Sequence, residues 1–445
     1  DIQFANSSTE IESSLNEFKP DVFVVYDDGF NYLTKMCLTN MREAALEMIE
    51  FAKKKKCTVI VSSSDAADHY EKYLERGADF VIRGEAEITL LELVNALKDK
   101  VQTNAIAGIV FNKQGENKTQ ELVVNSLRKV LKDLDSLPLP AWDILNIEPY
   151  RKMWMEKHGY FSINMVSTRG CPYKCNWCAK PIYGNRYNSH SPANIIAQIE
   201  QLNKLNPFDH IWFADDIFGL KPGWLKEFAD LAEKKKLKFR YKIQSRADLL
   251  DEETIKDLAR SGCETVWMGA ESGSQKILDA MDKGTSIKQI YESTRLLKKY
   301  KIRSAFFLQF GYPGETIEDI HLTIKMVNEL LPDDIGVSVS YPLPGTPFYE
   351  KVKNELKSKA NWTDSDDLAL MFQNNFPPEF YKQLHRYIHK SYRKHQSMDL
   401  LKGFFGNTNN KERFRRMLAL PYYAFGSVLE KHKLKKILPH AAGSL

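Results

Sequence analysis

At 445 residues with 43% apolar side chains, the chain is long enough for two or three domains with ordinary hydrophobic cores. Its net charge of +5 is unevenly spread: residues 382–436 hold fourteen Lys or Arg against three Asp or Glu, leaving the remainder net acidic. Apolar runs such as Asp21–Tyr26 and Thr58–Val61 are of strand length, far below the roughly 20 residues of a membrane span, and six cysteines with three crowded together make no disulfide framework. We therefore expect no transmembrane helix, no signal peptide, no specific nucleic-acid partner and a reducing, cytoplasmic setting.

The first hundred residues alternate short apolar strands with amphipathic helices. Strands are expected at Asp1–Ala5, Asp21–Tyr26, Thr58–Ser62 and Asp79–Arg83, and helices at Ser8–Phe18, Met41–Lys54, Asp65–Arg76 and Ala86–Leu97. Such alternation argues a parallel α/β sheet with ligands at the carboxyl ends of its strands. The stretches Pro20-Asp-Val-Phe-Val-Val25, Thr58-Val-Ile-Val-Ser-Ser-Ser64 and Gly77-Ala-Asp-Phe-Val-Ile-Arg-Gly-Glu85 resemble the cobalamin-binding, flavodoxin-like (Rossmann-type) domain that precedes the catalytic domain in many radical S-adenosylmethionine enzymes. That resemblance implies corrin contacts at Ser62, Ser63, Ser64, Gly84 and Glu85. The D-x-H-x-x-G motif of other cobalamin proteins is absent, so a lower corrin face against Asp27–Thr34 without a histidine ligand is expected. Asp1–Phe4 resembles the family's second strand, as though the first were lacking.

Residues 101–159 read as a linker with a hairpin at Ala107–Phe111 turning through Gly115, and a proline-marked segment, Leu137-Pro-Leu-Pro-Ala-Trp-Asp143. The most informative stretch follows: Ser167-Thr-Arg-Gly-Cys-Pro-Tyr-Lys-Cys-Asn-Trp-Cys178. Three thiolates at C-x3-C-x2-C can share one centre, whereas a structural zinc or a fully protein-ligated cluster wants four ligands. Iron with one coordination position open fits that donor set best. A structural zinc completed by His190 or His210 is the alternative.

The spacing, with Trp177 at the aromatic position, resembles the cluster motif of the radical S-adenosylmethionine superfamily. It implies a [4Fe–4S] cluster on Cys171, Cys175 and Cys178, whose remaining iron chelates S-adenosylmethionine. Reductive cleavage then yields a 5′-deoxyadenosyl radical.

From 160 to 350 strand and helix alternate six times, which suggests a partial (β/α)6 TIM-type barrel with chemistry at its carboxyl end. Candidate residues follow its strand ends. Asp215 and Asp216 close the second strand as catalytic or helix-capping carboxylates. Gln244 and Arg246 share a face of the third by period two. Trp267-Met-Gly-Ala-Glu-Ser-Gly273 resembles the family's Glu-Ser-Gly element, which assigns Glu271 and Ser272 to the cofactor. Gly311-Tyr-Pro-Gly-Glu-Thr316 resembles its adenine-contacting turn, which brings in Gly311, Pro313 and Gly314. With Arg246, Glu271, Asp215 and Asp216 form the expected catalytic set.

Residues 351–445 are expected to be helical over Pro378–His395, Lys411–Ala419 and Tyr422–Leu438, with a loop at Phe404-Phe-Gly406. Tyr381, Tyr387 and Tyr392 are candidates for a substrate pocket or for core. The basic tail is a candidate for peripheral membrane contact.

The resemblance implies methylation of an unactivated carbon of a small or lipid-like substrate, with cobalamin as methyl carrier and flavodoxin or ferredoxin as electron donor. The alternative is oxidative cyclisation or rearrangement, as in the anaerobic magnesium-protoporphyrin ester cyclase group. A non-catalytic iron–sulfur scaffold fits less well, having no use for the motifs around Glu271 and Gly311. A tRNA methylthiotransferase is disfavoured because its extra cysteine triad is missing.

Overall fold

The computed structural model describes residues 4–26, 38–114, 120–180, 183–356, 372–402, 415 and 417–438. The loop expected at 27–34, the turn at Gly115, the loop at Phe404–Gly406 and most of the helix expected at 411–419 lie outside the described residues. Two parallel-stranded sheets organise the rest.

The first has the order β1 (Val22–Tyr26), β2 (Thr58–Ser62), β3 (Phe80–Ile82), β4 (Ile109–Gln114), β5 (Gln120–Val124). The first three strands run parallel, and β4 and β5 extend the sheet as an antiparallel hairpin. Successive side chains enter different cores. Val59, Val61 and Val81 pack with α1 (Ile11–Phe18), α2 (Leu38–Lys54) and the segment around Tyr73, whereas Ile60 and Ile82 pack with Leu93 and Ala96 of a later helix, Glu87–Asp99. Burial on both faces is what the nearly unbroken Val/Ile runs require. Among the described residues β1 is an edge strand, and Phe4 and Ala5 are not in a strand.

Two local differences from the sequence reading have physical causes. The helix expected over 65–76 breaks into α3 (Ser64–Asp68) and α4 (Tyr70–Glu75), because His69 takes a non-helical φ of −136°. Arg42 and Tyr73 both bond the buried Asp65 carboxylate across that break, at 2.6 and 2.7 Å. The linker also contains a helix: after α5 (Glu87–Asp99), α6 (Glu148–His158) starts with Pro149 in its first turn and stops at the left-handed Gly159.

The second sheet is wholly parallel and runs β13 (Asp334–Val339), β12 (Arg303–Phe310), β11 (Cys263–Glu271), β10 (Arg240–Ser245), β9 (His210–Phe213), β6 (Ser162–Met165). It is the expected curled partial barrel, left open because β6 and β13 are its two edges. Alternate residues, including Ile211, Tyr241, Ile243, Val266, Met268, Phe306 and Leu308, form the main core beneath α7 (Pro192–Leu205), α8 (Trp224–Lys234), α9 (Glu252–Arg260), α11 (Ile287–Lys299) and α12 (Ile317–Leu330), α10 (Gln275–Ala280) being a short helix after β11. The intervening residues face inward and stay half-exposed at Trp212, Lys242, Gln244, Trp267 and Phe307, so the lumen is not closed by packing.

A short pair, β7 (Thr168–Arg169) with β8 (Asn188–Ser189), brackets the cysteine loop, and α13 (Pro347–Val352) follows β13. The C-terminal pair, α14 (Pro378–Lys402) and α15 (Leu420–Ile437), joins the main core through Leu384, Ile388 and Leu434. Tyr381 and Tyr392 are core residues there, and the Tyr392 hydroxyl donates to the Pro332 carbonyl at 2.7 Å. No helix among the described residues is long and apolar enough to cross a membrane.

Candidate active site

The cysteine loop leaves β6 and is pinned from several sides. Asp215, just past β9, is 1% exposed, and its carboxylate accepts from the backbone N–H of Ser167 at 2.7 Å, that of Thr168 at 2.8 Å and the Ser167 hydroxyl. Asp215 therefore orients the loop from outside it, and its burial raises its carboxyl to about 7. Gly170 has φ +78°, and a Cβ there would stand 2.4 Å from the Arg186 carbonyl. Asn176 gives its amide to the Ala280 carbonyl and to Asp282, and accepts from the Tyr312 hydroxyl. Its own backbone bonds Met281 and Phe348 at 3.0 Å each.

Cys171 is buried, and Cys175 and Cys178 are half-buried. Burial pushes the Cys178 thiol up to about 12 and raises Cys171, with the neighbouring sulfurs and Asp216 adding to both. Lys180 acts in the opposite direction. Asp216 is accessible yet hemmed in, which also raises its carboxyl, and it faces the cysteine cleft. Trp177 packs against Ile277, Met281, Tyr312 and Phe348.

The ends of β10 and β11 meet this loop. Arg246 is 4% exposed, lies 3.6 Å over the Tyr173 ring and stands 3.7 Å from the Cys175 sulfur. Its fork is engaged by Asp248 at 2.9 and 3.2 Å and by the Lys283 carbonyl at 2.7 Å. Glu271 adopts a left-handed φ of +58° at a register shift in β11, a strained setting for a side chain that is not glycine. Its carboxylate pairs with Lys283 at 2.8 Å, and both side chains are almost wholly buried. Ser272 turns to Thr323 at 3.2 Å, while Gly273 lets the backbone pass α12, where a Cβ would meet the Leu322 carbonyl at 2.3 Å. Gln244 lies on the inward face of β10.

After β12, Gly311 (φ +76°) gives its N–H to Glu315 at 2.6 Å, Pro313 is half-buried, and Gly314 is exposed. Lys283 was missing from the sequence reading. A lysine between Asp282 and Gly284 gives no periodic signal, and its pairing with Glu271 is visible only in three dimensions.

In the first sheet, Ser62, Ser63 and Ser64 are buried at the end of β2, and the Ser63 hydroxyl caps α3 by accepting from Ala66 N–H at 2.9 Å. Gly84 follows β3 with φ +93° and open space where a Cβ would stand. Glu85 points at the cysteine loop: Arg169 donates to it at 2.8 Å and also to Glu87, and the Leu131 N–H donates to Glu85 at 2.5 Å.

The donor set fits an anionic iron–sulfur cluster. Cys171 and Cys178 are desolvated and Cys175 lies close enough to act on both, with the cations of Arg246 and Lys283 at the Cys175 side. The two histidines of the zinc alternative are engaged through Nδ1, His190 with Asp135 at 3.0 Å and His210 with Ser162 at 2.8 Å. Residues 165–327 match the Radical SAM superfamily. The chain carries a radical S-adenosylmethionine domain.

An uncharacterized methyltransferase of Pyrococcus horikoshii is 29% identical over 286 residues, 64% of this chain and 60% of that protein. The anaerobic magnesium-protoporphyrin IX monomethyl ester cyclase of Rubrivivax gelatinosus is 27% identical, over 63% of this chain and 50% of its own. The chain thus spans between half and two thirds of these relatives. In fold, the radical SAM domain and its surroundings are similar to TsrM of Kitasatospora setae, a radical S-adenosylmethionine methyltransferase solved with cobalamin and a [4Fe–4S] cluster. The TM-score is 0.67 at 19% identity, covering 80% of this chain and 68% of that one.

Proposed function

We propose that this chain is a radical S-adenosylmethionine enzyme that uses cobalamin to methylate an unactivated carbon of a small or lipid-like molecule. Bound at Cys171, Cys175 and Cys178, a [4Fe–4S] cluster would supply the electron that cleaves S-adenosylmethionine to a 5′-deoxyadenosyl radical, and cobalamin would supply the methyl group. The protein's part is to hold and exclude. Asp215 and Asn176 fix the cysteine loop, Arg246 and Lys283 place positive charge at its Cys175 side, and Trp177 closes its apolar flank. Glu271 with Ser272, and the Gly311–Gly314 turn, stand where S-adenosylmethionine would be gripped, and Asp216 faces the same cleft.

The observation that carries the cobalamin reading is Arg169. From the residue two before Cys171 it bonds Glu85 and Glu87, which holds the loop after β3 against the cysteine loop. Ser62, Ser63, Ser64 and Gly84 suit a cradle for an amide-rich cofactor, and Glu85 would orient that cradle through Arg169. We read residues 1–100 as a flavodoxin-like cobalamin domain, 101–159 as linker, 160–350 as the radical domain and 351–445 as a helical cap. An external donor such as flavodoxin or ferredoxin would supply the electron, in a reducing cytoplasm. The outward face of α15, where Tyr422, Phe425 and Val428 are exposed ahead of Lys435 and Lys436, favours peripheral contact with an anionic membrane.

The test is anaerobic reconstitution with iron, sulfide and hydroxocobalamin, addition of S-adenosylmethionine and a reductant, and assay of iron, cobalt, deoxyadenosine and S-adenosylhomocysteine. Cluster, cobalt and both nucleosides are expected. Deoxyadenosine without cobalt would remove cobalamin from the proposal, and a folded protein without cluster absorption would overturn it whole.

A further inference from the structure

Deep in the open lumen, below the cysteine cleft, two donors lack acceptors. Lys242, on the inward face of β10, is half-buried, and among the described residues it makes neither a hydrogen bond nor an ion pair. Its ammonium lies 3.6 Å over the ring of Trp212, its register partner on β9. The Trp212 indole N–H is itself buried, with no acceptor among the described residues. Neighbouring carboxylates are committed elsewhere: Glu264 pairs with Arg303 and, at 3.7 Å, with Arg240, and Asp334 pairs with Arg393 at 3.4 Å. Desolvation makes such a lysine costly, and its ammonium is accordingly held below the ordinary lysine range.

Above this pair the wall is apolar and flat. Trp267 and Phe307 stack at 4.7 Å, 27° from parallel, over Gly336, where a Cβ would stand 3.4 Å from both rings. Further up come Gln244 on β10 and, just past its end, Arg246 beside the cysteines.

We infer that the lumen is a receptor for a flat, largely apolar carboxylic acid, its carboxylate bound by the Lys242 ammonium and the Trp212 N–H and its body lying along the Trp267–Phe307 stack. A single ammonium and a neutral N–H match one negative charge, which favours a carboxylate over a phosphate dianion. Lys242 and Arg246 are four residues apart on one strand, about 13 Å at the usual rise. The acceptor molecule is therefore elongated, with its acid group roughly that far from the end presented to the cysteine cleft. This inference rests on the proposed function only in treating the ligand as substrate.

The test uses the full chain and two fluorescent probes, 1-pyrenebutyrate and its neutral counterpart 1-pyrenebutanol. The wild type is expected to bind one pyrenebutyrate and to prefer it to the alcohol by about tenfold, or about 1.4 kcal/mol. Lys242→Met should erase that preference, Lys242→Arg should keep it, and Trp212→Phe should reduce it a few-fold while leaving the stacking wall. Equal binding of acid and alcohol by the wild type, no binding of either, or an undiminished preference in Lys242→Met would overturn the inference. Folding is checked by the thermal transition of each variant and by the retained preference of Lys242→Arg. Deoxyadenosine formation by the wild type is read separately, so failure of the radical assignment is distinguishable from failure of the receptor.

Discussion

The mixed first sheet and the parallel second sheet bring loops at their carboxyl ends together, yet the loops are held by different chemistry. The cysteine loop is fixed redundantly: the Asp215 carboxylate takes two of its backbone N–H groups, and Asn176 is bonded from the segments after α10, β12 and β13. The loop after β3 in the first sheet is tied to it by one prominent side chain, Arg169, on Glu85 and Glu87. On the proposed function, redundancy would suit a loop that keeps three sulfurs in place through electron transfer, and a single buried cation would suit a contact that sets the spacing between two cofactor sites.

The sharpest break in that comparison is Cys175→Ala. Two thiolates cannot hold a site-differentiated cluster, so reconstituted iron, iron–sulfur absorption and deoxyadenosine should all be lost while the thermal transition of the apoprotein changes little. An intact cluster in this variant would exclude Cys175 as a ligand. Asp215→Ala should act on the fold instead, costing about 4 kcal/mol by stranding buried donors. Asp216→Ala, on an exposed side chain, should stay within about 0.5 kcal/mol. Chemical denaturation of both variants checks the contrast, and equal losses would mean that the loop is not held as described.

Arg169→Met probes the other side. Removing the cation leaves Glu85 buried without its charge partner, a change that costs about 3 kcal/mol in comparable buried pairs. Hydrogen exchange should speed up over residues 83–88 and 129–132, and cobalt retention should fall before iron retention does. If iron is lost first, Arg169 belongs to the redundant system and the comparison fails.

Much of the barrel was legible because a parallel strand covered by helices repeats with period two, and Tyr241, Ile243 and Ser245 are buried where Lys242 and Gln244 are half-exposed. The cysteine spacing was legible because its ligands are local. What escaped was long-range pairing. Glu85 was read as a corrin contact from its place after a strand, but its partner Arg169 is 84 residues away, and neither residue carries a periodic signal. Lys283 escaped for the same reason, and so did the pairing of Asp65 with Arg42, 23 residues away, beside the helix break at His69.

A pH-dependent effect concerns Glu315, which supports the turn after β12. It is wholly buried, one oxygen accepts from Gly311 N–H, and the other has no partner among the described residues. Burial raises its carboxyl to about 8, so at neutral pH the native state keeps a proton that the unfolded chain has released. The unfolded state then binds fewer protons than the native one, and stability must fall as pH rises from the ordinary carboxylate range to about 8, flattening above it. Glu315→Gln keeps the acceptor for Gly311 and has no proton to lose. Thermal transitions across that range should therefore decline less steeply in Glu315→Gln than in the wild type, with the two converging at acid pH. Parallel curves would mean that Glu315 is ionised and hydrated, and that the turn is more open than its burial indicates.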